Sequence, residues 1–135
     1  MEVHLLHPKD VPSVWEEVQP LIDKALIKSD ETHNSSDYLD LILDGVCTLC
    51  VGLHNNEIQM SLVLEVVEVP RTKVLEIHIW ATKSGYDFQP WIDQFDCIEK
   101  FGRDNGCTLI EATVRKGLAK KLKWDNNYSL LTKHI

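Results

Sequence analysis

The sequence predicts one mixed α/β domain over residues 1–135, an α+β arrangement whose sheet is mixed but mostly antiparallel, with helices on its faces. Three observations predict it. Apolar residues recur at helical spacing near the N-terminus and again after residue 87, but alternate with polar ones through much of 46–81. Turn residues cut that alternating stretch into three adjoining segments, the pattern of an antiparallel meander. A strand-helix-strand crossover then follows. The resulting order is β-α-α-β-β-β-α-β-α-β.

Each element has a local cause. Val3 to Leu6 is a short apolar run and reads as the first strand. Asp10 is expected to cap a helix that tolerates Pro12 in its first turn. From Val11 to Leu26, apolar residues including Val14, Trp15, Val18, Leu21 and Ile22 share one helical stripe, interrupted by Pro20, which is expected to kink the helix. Lys28 to Ser36 is polar and reads as a loop. Asn34 or Ser35 can cap a second, short helix reaching Asp44, with Tyr38, Leu41 and Ile42 inward and Gly45 as its stop.

Val46 to Leu53 is β-rich, and Asn55-Asn56 marks a turn. Glu57 to Val69 follows as a long strand with Ile58, Met60, Leu62, Leu64 and Val66 on one face. Pro70-Arg71-Thr72 turns the chain into a strand from Lys73 to Ala81. There Leu75, Ile77 and Ile79 are expected on one face and Glu76, His78 and Trp80 on the other. Thr82 to Tyr86 is a loop containing Gly85. Asp87 is expected to cap a third helix with Pro90 in its first turn. Trp91, Phe95, Ile98 and Phe101 form the buried stripe of that helix, and Asn105-Gly106 ends it. A strand from Cys107 to Val114, a short helix from Lys116 to Lys123 and a last strand from Tyr128 to His134 complete the order.

Composition narrows the function. The chain is 44% apolar and 26% charged, as soluble globular proteins are. A net charge of -7 argues against nucleic acid or an anionic membrane as the main partner, although Arg115, Lys116, Lys120, Lys121 and Lys123 crowd into a basic patch. No apolar run approaches the roughly 20 residues of a membrane-spanning helix. The N-terminus lacks the basic region and apolar stretch of a secretion signal. Four cysteines do not make a disulfide scaffold, so a reducing compartment is expected: the cytoplasm, or the inside of an infected cell. Cys47 and Cys50 sit three apart on a strand and therefore point to opposite faces, so no metal site is expected of that pair. There is no His-Glu-x-x-His, no Gly-x-Ser-x-Gly elbow and no Walker loop. Trp15 and Trp91 are assigned to the core, and Trp124, after the basic run, to a contact surface.

The order of elements resembles the GNAT superfamily of N-acetyltransferases along nearly the whole chain. Three phrases sharpen the likeness toward the small, phage-type members. These are Phe101-Gly-Arg-Asp-Asn-Gly106-Cys107 at the end of the crossover helix, Ile110 to Leu122 with Arg115, Gly117 and Ala119 in the strand-to-helix turn, and Asn127-Tyr128-Ser-Leu-Leu-Thr-Lys133 at the close. The resemblance implies transfer of an acetyl group from acetyl-coenzyme A to an amine. It implies Glu76 and His78 as proton acceptors, Ile79, Trp80 and Ala81 along the pantetheine arm, and the backbone of Ser84, Gly85 and Tyr86 at the phosphates. It also implies a parting between the strands 73–81 and 107–114 that admits the cofactor.

The chain departs from the family pattern in two places. The phosphate loop reads Lys83-Ser84-Gly85-Tyr86-Asp87-Phe88, with one glycine and a carboxylate where the family has Arg/Gln-x-x-Gly-x-Gly/Ala. Lys123 stands four residues after Ala119, where many members carry the tyrosine that protonates the leaving thiolate. Two expectations therefore stand side by side. One is a phage-type acetyltransferase acting on an unknown amine. The other is a non-catalytic phage structural or host-interaction protein on the same scaffold, placed in the host cytoplasm or the virion. A homodimer is implied by the resemblance alone.

Overall fold

In the computed structural model, residues 1–27, 32–83, 85 and 87–135 are described. Five strands form one sheet in the order β1-β2-β3-β4-β5: Glu2–Leu5, Thr48–His54, Glu57–Val69, Thr72–Thr82 and Cys107–Ala112. The first three pairings are antiparallel and β4–β5 is parallel. The β2–β3 hairpin turns at Asn55 and Asn56, both at positive φ, the conformation a tight two-residue hairpin requires.

One sheet face is covered by α1 (Trp15–Leu26) and α2 (Ser35–Leu43), and the other by α3 (Gln89–Ile92), α4 (Asp96–Asp104) and α5 (Lys116–Leu122). The first layer buries Val11, Val18, Leu21, Ile22 and Ile42 against Leu49, Val51 and Val63. The second buries Trp91, Phe95, Ile98 and Leu118 against Leu62, Leu64 and Leu75. Among the described residues no helix is long and apolar enough to cross a membrane.

Several expectations are corrected. Asp10 ends a 3-10 turn of Pro8–Asp10 that His7 caps, and α1 begins only at Trp15. Trp15 is only partly buried against the core, whereas Trp91 is inside it. The third helix is two, α3 and α4, separated by a turn at residues 93–95, and Phe88 rather than Asp87 holds the cap position of α3. Residues 128–134 form no strand; beyond Lys123 the chain has no regular structure and Tyr128, Leu130 and Leu131 are exposed. Residues 28–31, expected to be loop, lie outside the described residues.

Two β-bulges change which side chains share a face. Gly52 pairs with Met60 and Leu53 with Ile58, which leaves Gln59 as an extra residue in β3. Val63 pairs with Ile79 and Leu64 with Ile77, which leaves His78 as an extra residue in β4. Each extra residue reverses the alternation beyond it. Ile58 therefore joins the α1/α2 layer while Met60, Leu62 and Leu64 join the other. In the same way Ile79 and Ala81 face α1, and Trp80 packs with Leu75 and Ile77. A strict two-residue alternation had placed Ile58 and Ile79 on the wrong sides.

Candidate active site

The functional geometry begins where β4 outruns β5. The two strands pair from Lys73↔Cys107 to Ile77↔Ala112. β4 continues to Thr82 with β3 as its partner, while β5 ends and the chain leaves toward α5. The sheet is therefore open on one edge of β4 from His78 onward, immediately at the bulge.

Two sets of contacts flank this opening. Toward α1, the Lys24 ammonium donates to the Thr82 carbonyl at 3.3 Å, and the Arg115 guanidinium donates to the Lys24 carbonyl at 3.0 Å. These two bonds tie the end of β4, α1 and the start of α5 together. Toward α4, Trp80 stacks on Phe95 with ring centres 5.4 Å apart, and Phe95 meets Trp124 at the same distance. The Trp80 indole N–H is buried with no hydrogen-bond partner among the described residues.

Alternation past Leu75 and Ile77 puts His78 on the α1/α2 face, where it lies among acidic groups. Its Nε2 is 2.8 Å from Glu65 Oε1 and 3.7 Å from Glu76 Oε2. Glu65 and Glu76 are direct cross-strand partners in β3 and β4. Two carboxylates opposed in this way repel each other, and the imidazole beside both offsets that repulsion when it carries a proton. Tyr38 of α2 presents its ring edgewise to His78 at 5.9 Å, and His33 stacks on the far side of Tyr38 at 5.2 Å. Burial, aided by the nearby Cys47, Asp37 and Glu65, holds the Tyr38 phenol above its usual range and so uncharged.

α2 brings Tyr38 there because its N-terminus is fixed. Asn34 Oδ1 accepts from the Asp37 amide at 3.0 Å, and Asp37 Oδ2 accepts from the Asn34 amide at 2.9 Å, a reciprocal capping box. Beside it, Asp23, His33, Asn34, Ser35 and Asp37 line a shallow cleft of about 370 Å³. A larger cleft of about 600 Å³ surrounds Arg71 and Lys73 at the β3–β4 turn. It lies at the other end of β4 from His78, so size does not locate the chemistry here.

The start of the crossover helix carries a carboxylate. Asp87 Oδ1 accepts from the Gln89 amide at 3.2 Å and from the Lys121 ammonium at 2.5 Å. The Lys121 bond, then the Gln89 amide, hold the Asp87 carboxyl below its usual range.

Of the residues singled out in the sequence, Glu76 and His78 do lie together on one face. Ile79, Trp80 and Ala81 occupy the part of β4 that has no β5 partner, with Trp80 on the opposite face from the other two. Gly85 sits at φ +86° in the following turn. Ser84 and Tyr86 lie outside the described residues. Cys47 and Cys50 fall in opposite layers. Sequence reasoning missed Glu65, Tyr38 and Cys47, which the fold brings to His78. Glu65 had a signal: it is the first charge in an otherwise apolar or neutral run from Ile58 to Val67. Tyr38 and Cys47 had none, because helix docking and strand register bring them in.

Compared as sequence, the chain matches no protein-family model and no curated protein. Compared as structure, it is similar to several solved acetyltransferases. An aminoglycoside acetyltransferase from an uncultured soil metagenomic sample, solved in complex with sisomicin, superposes with a TM-score of 0.74 at 15% identity, covering 99% of this chain and 94% of that one. A probable acetyltransferase gives 0.74 at 11% identity, covering 100% and 99%. The ribosomal-protein-alanine N-acetyltransferase of Brucella melitensis biovar Abortus 2308 gives 0.72 at 10% identity, covering all of both chains. The fold is that of the GNAT superfamily.

Proposed function

We propose that this protein is an acetyl-coenzyme A-dependent N-acetyltransferase of the small, phage-type GNAT kind. The observation that carries the reading is the coincidence of the β4–β5 opening with the placement of His78 beside Glu65 and Glu76. Ile79, Trp80 and Ala81, on the part of β4 that has no β5 partner, would hold a thioester cofactor, which would supply the acetyl group. The acceptor is a cationic amine. It approaches over the cleft at His33, where Asp23 and Asp37 attract its charge. His78 takes the proton from the ammonium, and Glu65 and Glu76 stabilise the imidazolium that forms. Tyr38 fixes the imidazole ring from its edge. The amine so freed would take the acetyl group from the thioester, and the coenzyme would leave as its thiol, carrying the second proton that the nitrogen gives up. The likeness to acetyltransferases, one of them solved with an aminoglycoside, supports this class of acceptor.

The experiment is a thermal melt with acetyl-coenzyme A followed by an assay on a panel of amines. Cofactor at about 100 times its dissociation constant adds about 2.7 kcal/mol of stability. His78→Ala is expected to keep that shift and to lower kcat/KM by about a hundredfold or more, with a smaller loss for Glu76→Gln.

A second reading is favoured by one specific observation. Asp87 already satisfies the start of the crossover helix and is paired with Lys121, where a cofactor pyrophosphate would otherwise sit. On that reading the chain is a non-catalytic phage structural or host-interaction protein on the GNAT scaffold. A melt unchanged by millimolar cofactor selects it and rejects the first.

A further inference from the structure

We infer that Cys47, Glu65 and His78 form a zinc site, built from the residue just ahead of β2 and from the strands β3 and β4 on the α1/α2 face. The Cys47 sulfur, a Glu65 carboxylate oxygen and a His78 ring nitrogen all lie within 4.8 Å of one another. Donors around a tetrahedral zinc stand about 3.3–3.7 Å apart, given bonds of about 2.0–2.3 Å. Closing on an ion therefore takes side-chain shifts of about an ångström, with no change of backbone.

The placement is rigid. Thr48 pairs with Leu64 and Glu65 with Glu76, so Cys47, just ahead of β2, stands beside Glu65 in the next strand. The Cys47 amide is anchored on the Leu41 carbonyl at 3.0 Å, behind the end of α2. His78 joins the row from β4, on the same face as Glu76 and 2.8 Å from Glu65. The donors differ in exposure in a way that suits a bound ion. Cys47 is buried at 2% exposure, while the His78 and Glu65 side chains keep 25% and 28%. The thiol thus forms the floor and the other two the rim. Glu76, with its carboxylate 3.7 Å from His78, borders the fourth position, which a water would complete around a bound ion.

Donor chemistry selects the ion. Sulfur with imidazole and a single carboxylate suits zinc, whereas magnesium and calcium prefer all-oxygen shells. Binding expels the thiol proton. The site does not depend on acetyl transfer, although a zinc ion there would occupy the His78 nitrogen that the proposed reaction uses.

Cobalt(II) replaces zinc as a coloured probe. Titrated into the reduced full chain, it is expected to give tetrahedral visible bands and a sulfur-to-cobalt charge-transfer band, both erased by one equivalent of zinc. Cys47→Ser should abolish the charge-transfer band, and Cys50→Ala, which alters a thiol in the other layer, should keep it. Glu65→Gln, nearly isosteric and half-exposed, should weaken zinc about tenfold or more and weaken it further than Glu76→Gln does. Thermal melts of each variant confirm that it is folded. The inference is overturned by the absence of the charge-transfer band in the folded parent, by a band that survives Cys47→Ser, or by unchanged zinc affinity in folded Glu65→Gln.

Discussion

Gly52 shows how a single missing side chain positions an element. A Cβ built there would stand 2.6–2.9 Å from three atoms of the Trp91 indole, which is itself almost fully buried. α3 can lie down on β2 only because that space is bare. Gly52→Ala is therefore expected to destabilise the protein by about 1–3 kcal/mol, the usual cost of overpacking a filled core, and to lower the melting temperature measurably. Asp87 carries a second consequence at this scale. Its carboxyl is held below its ordinary 3.8, first by the Lys121 bond. A depressed carboxyl contributes stability that is present above the ordinary value and lost as pH falls through the lowered one. Lys121→Met should move the Asp87 titration, followed by NMR, back up toward 3.8, so that acid unfolding begins at a higher pH. An unmoved titration would mean the pair does not form in solution. Asp87→Asn removes the negative charge from the helix start, and on the acetyltransferase reading it should tighten acetyl-coenzyme A about two- to fivefold, the size of a terminal charge–dipole interaction.

At the scale of elements, α2 depends on its capping box and the placement of Tyr38 beside His78 depends on α2. Asn34→Ala removes the acceptor for the Asp37 amide and should cost about 1 kcal/mol, read from urea unfolding. If Tyr38 positions His78, the same change should also slow acetyl transfer without altering cofactor affinity. The cap of α2, narrowed to Asn34 or Ser35, the two-residue Asn55-Asn56 turn and the full span Glu57–Val69 were legible in the sequence, because caps, turns and alternation are set by neighbouring residues. The bulges at Gln59 and His78 were not. A bulge is a property of two strands in register, and nothing in the local spacing of Ile77, His78 and Ile79 marks which residue lacks a partner. That one ambiguity decided the site. Glu76 and His78 were read correctly as sharing a face, but Ile79 and Trp80 exchanged sides, and the cross-strand neighbours Glu65 and Cys47 stayed invisible. The split of the third helix was also hidden, since Trp91, Phe95 and Ile98 keep a helical spacing straight through the turn at 93–95.

For the molecule as a whole, the instructive difference is the C-terminal segment. Tyr128 to His134 read as a last strand, yet Tyr128, Leu130 and Leu131 within it are largely exposed and β5 stands at the edge of the sheet. A strand's hydrogen bonds lie with its neighbour, so an apolar pattern states that a segment could pair and says nothing of whether an edge is offered to it. The core closes without this segment. α5 seals the second layer through Leu118, and the Trp124 ring meets Phe95 of that layer at 5.4 Å. Stability should follow burial. Ending the chain after Trp124 removes one acidic residue, Asp125, and one lysine, Lys133, so the net charge is unchanged and electrostatics do not blur the comparison. The shortened chain should melt within about 1 °C of the full one, because unburied residues contribute little to a cooperative transition. Ending it before Trp124 instead should lower the melting temperature by several degrees, since each lost kcal/mol is worth about 3–6 °C in a domain of this size. Equal losses from both truncations would show that residues 125–135 pack against the domain in solution, and β5 would then be the edge on which to look for them.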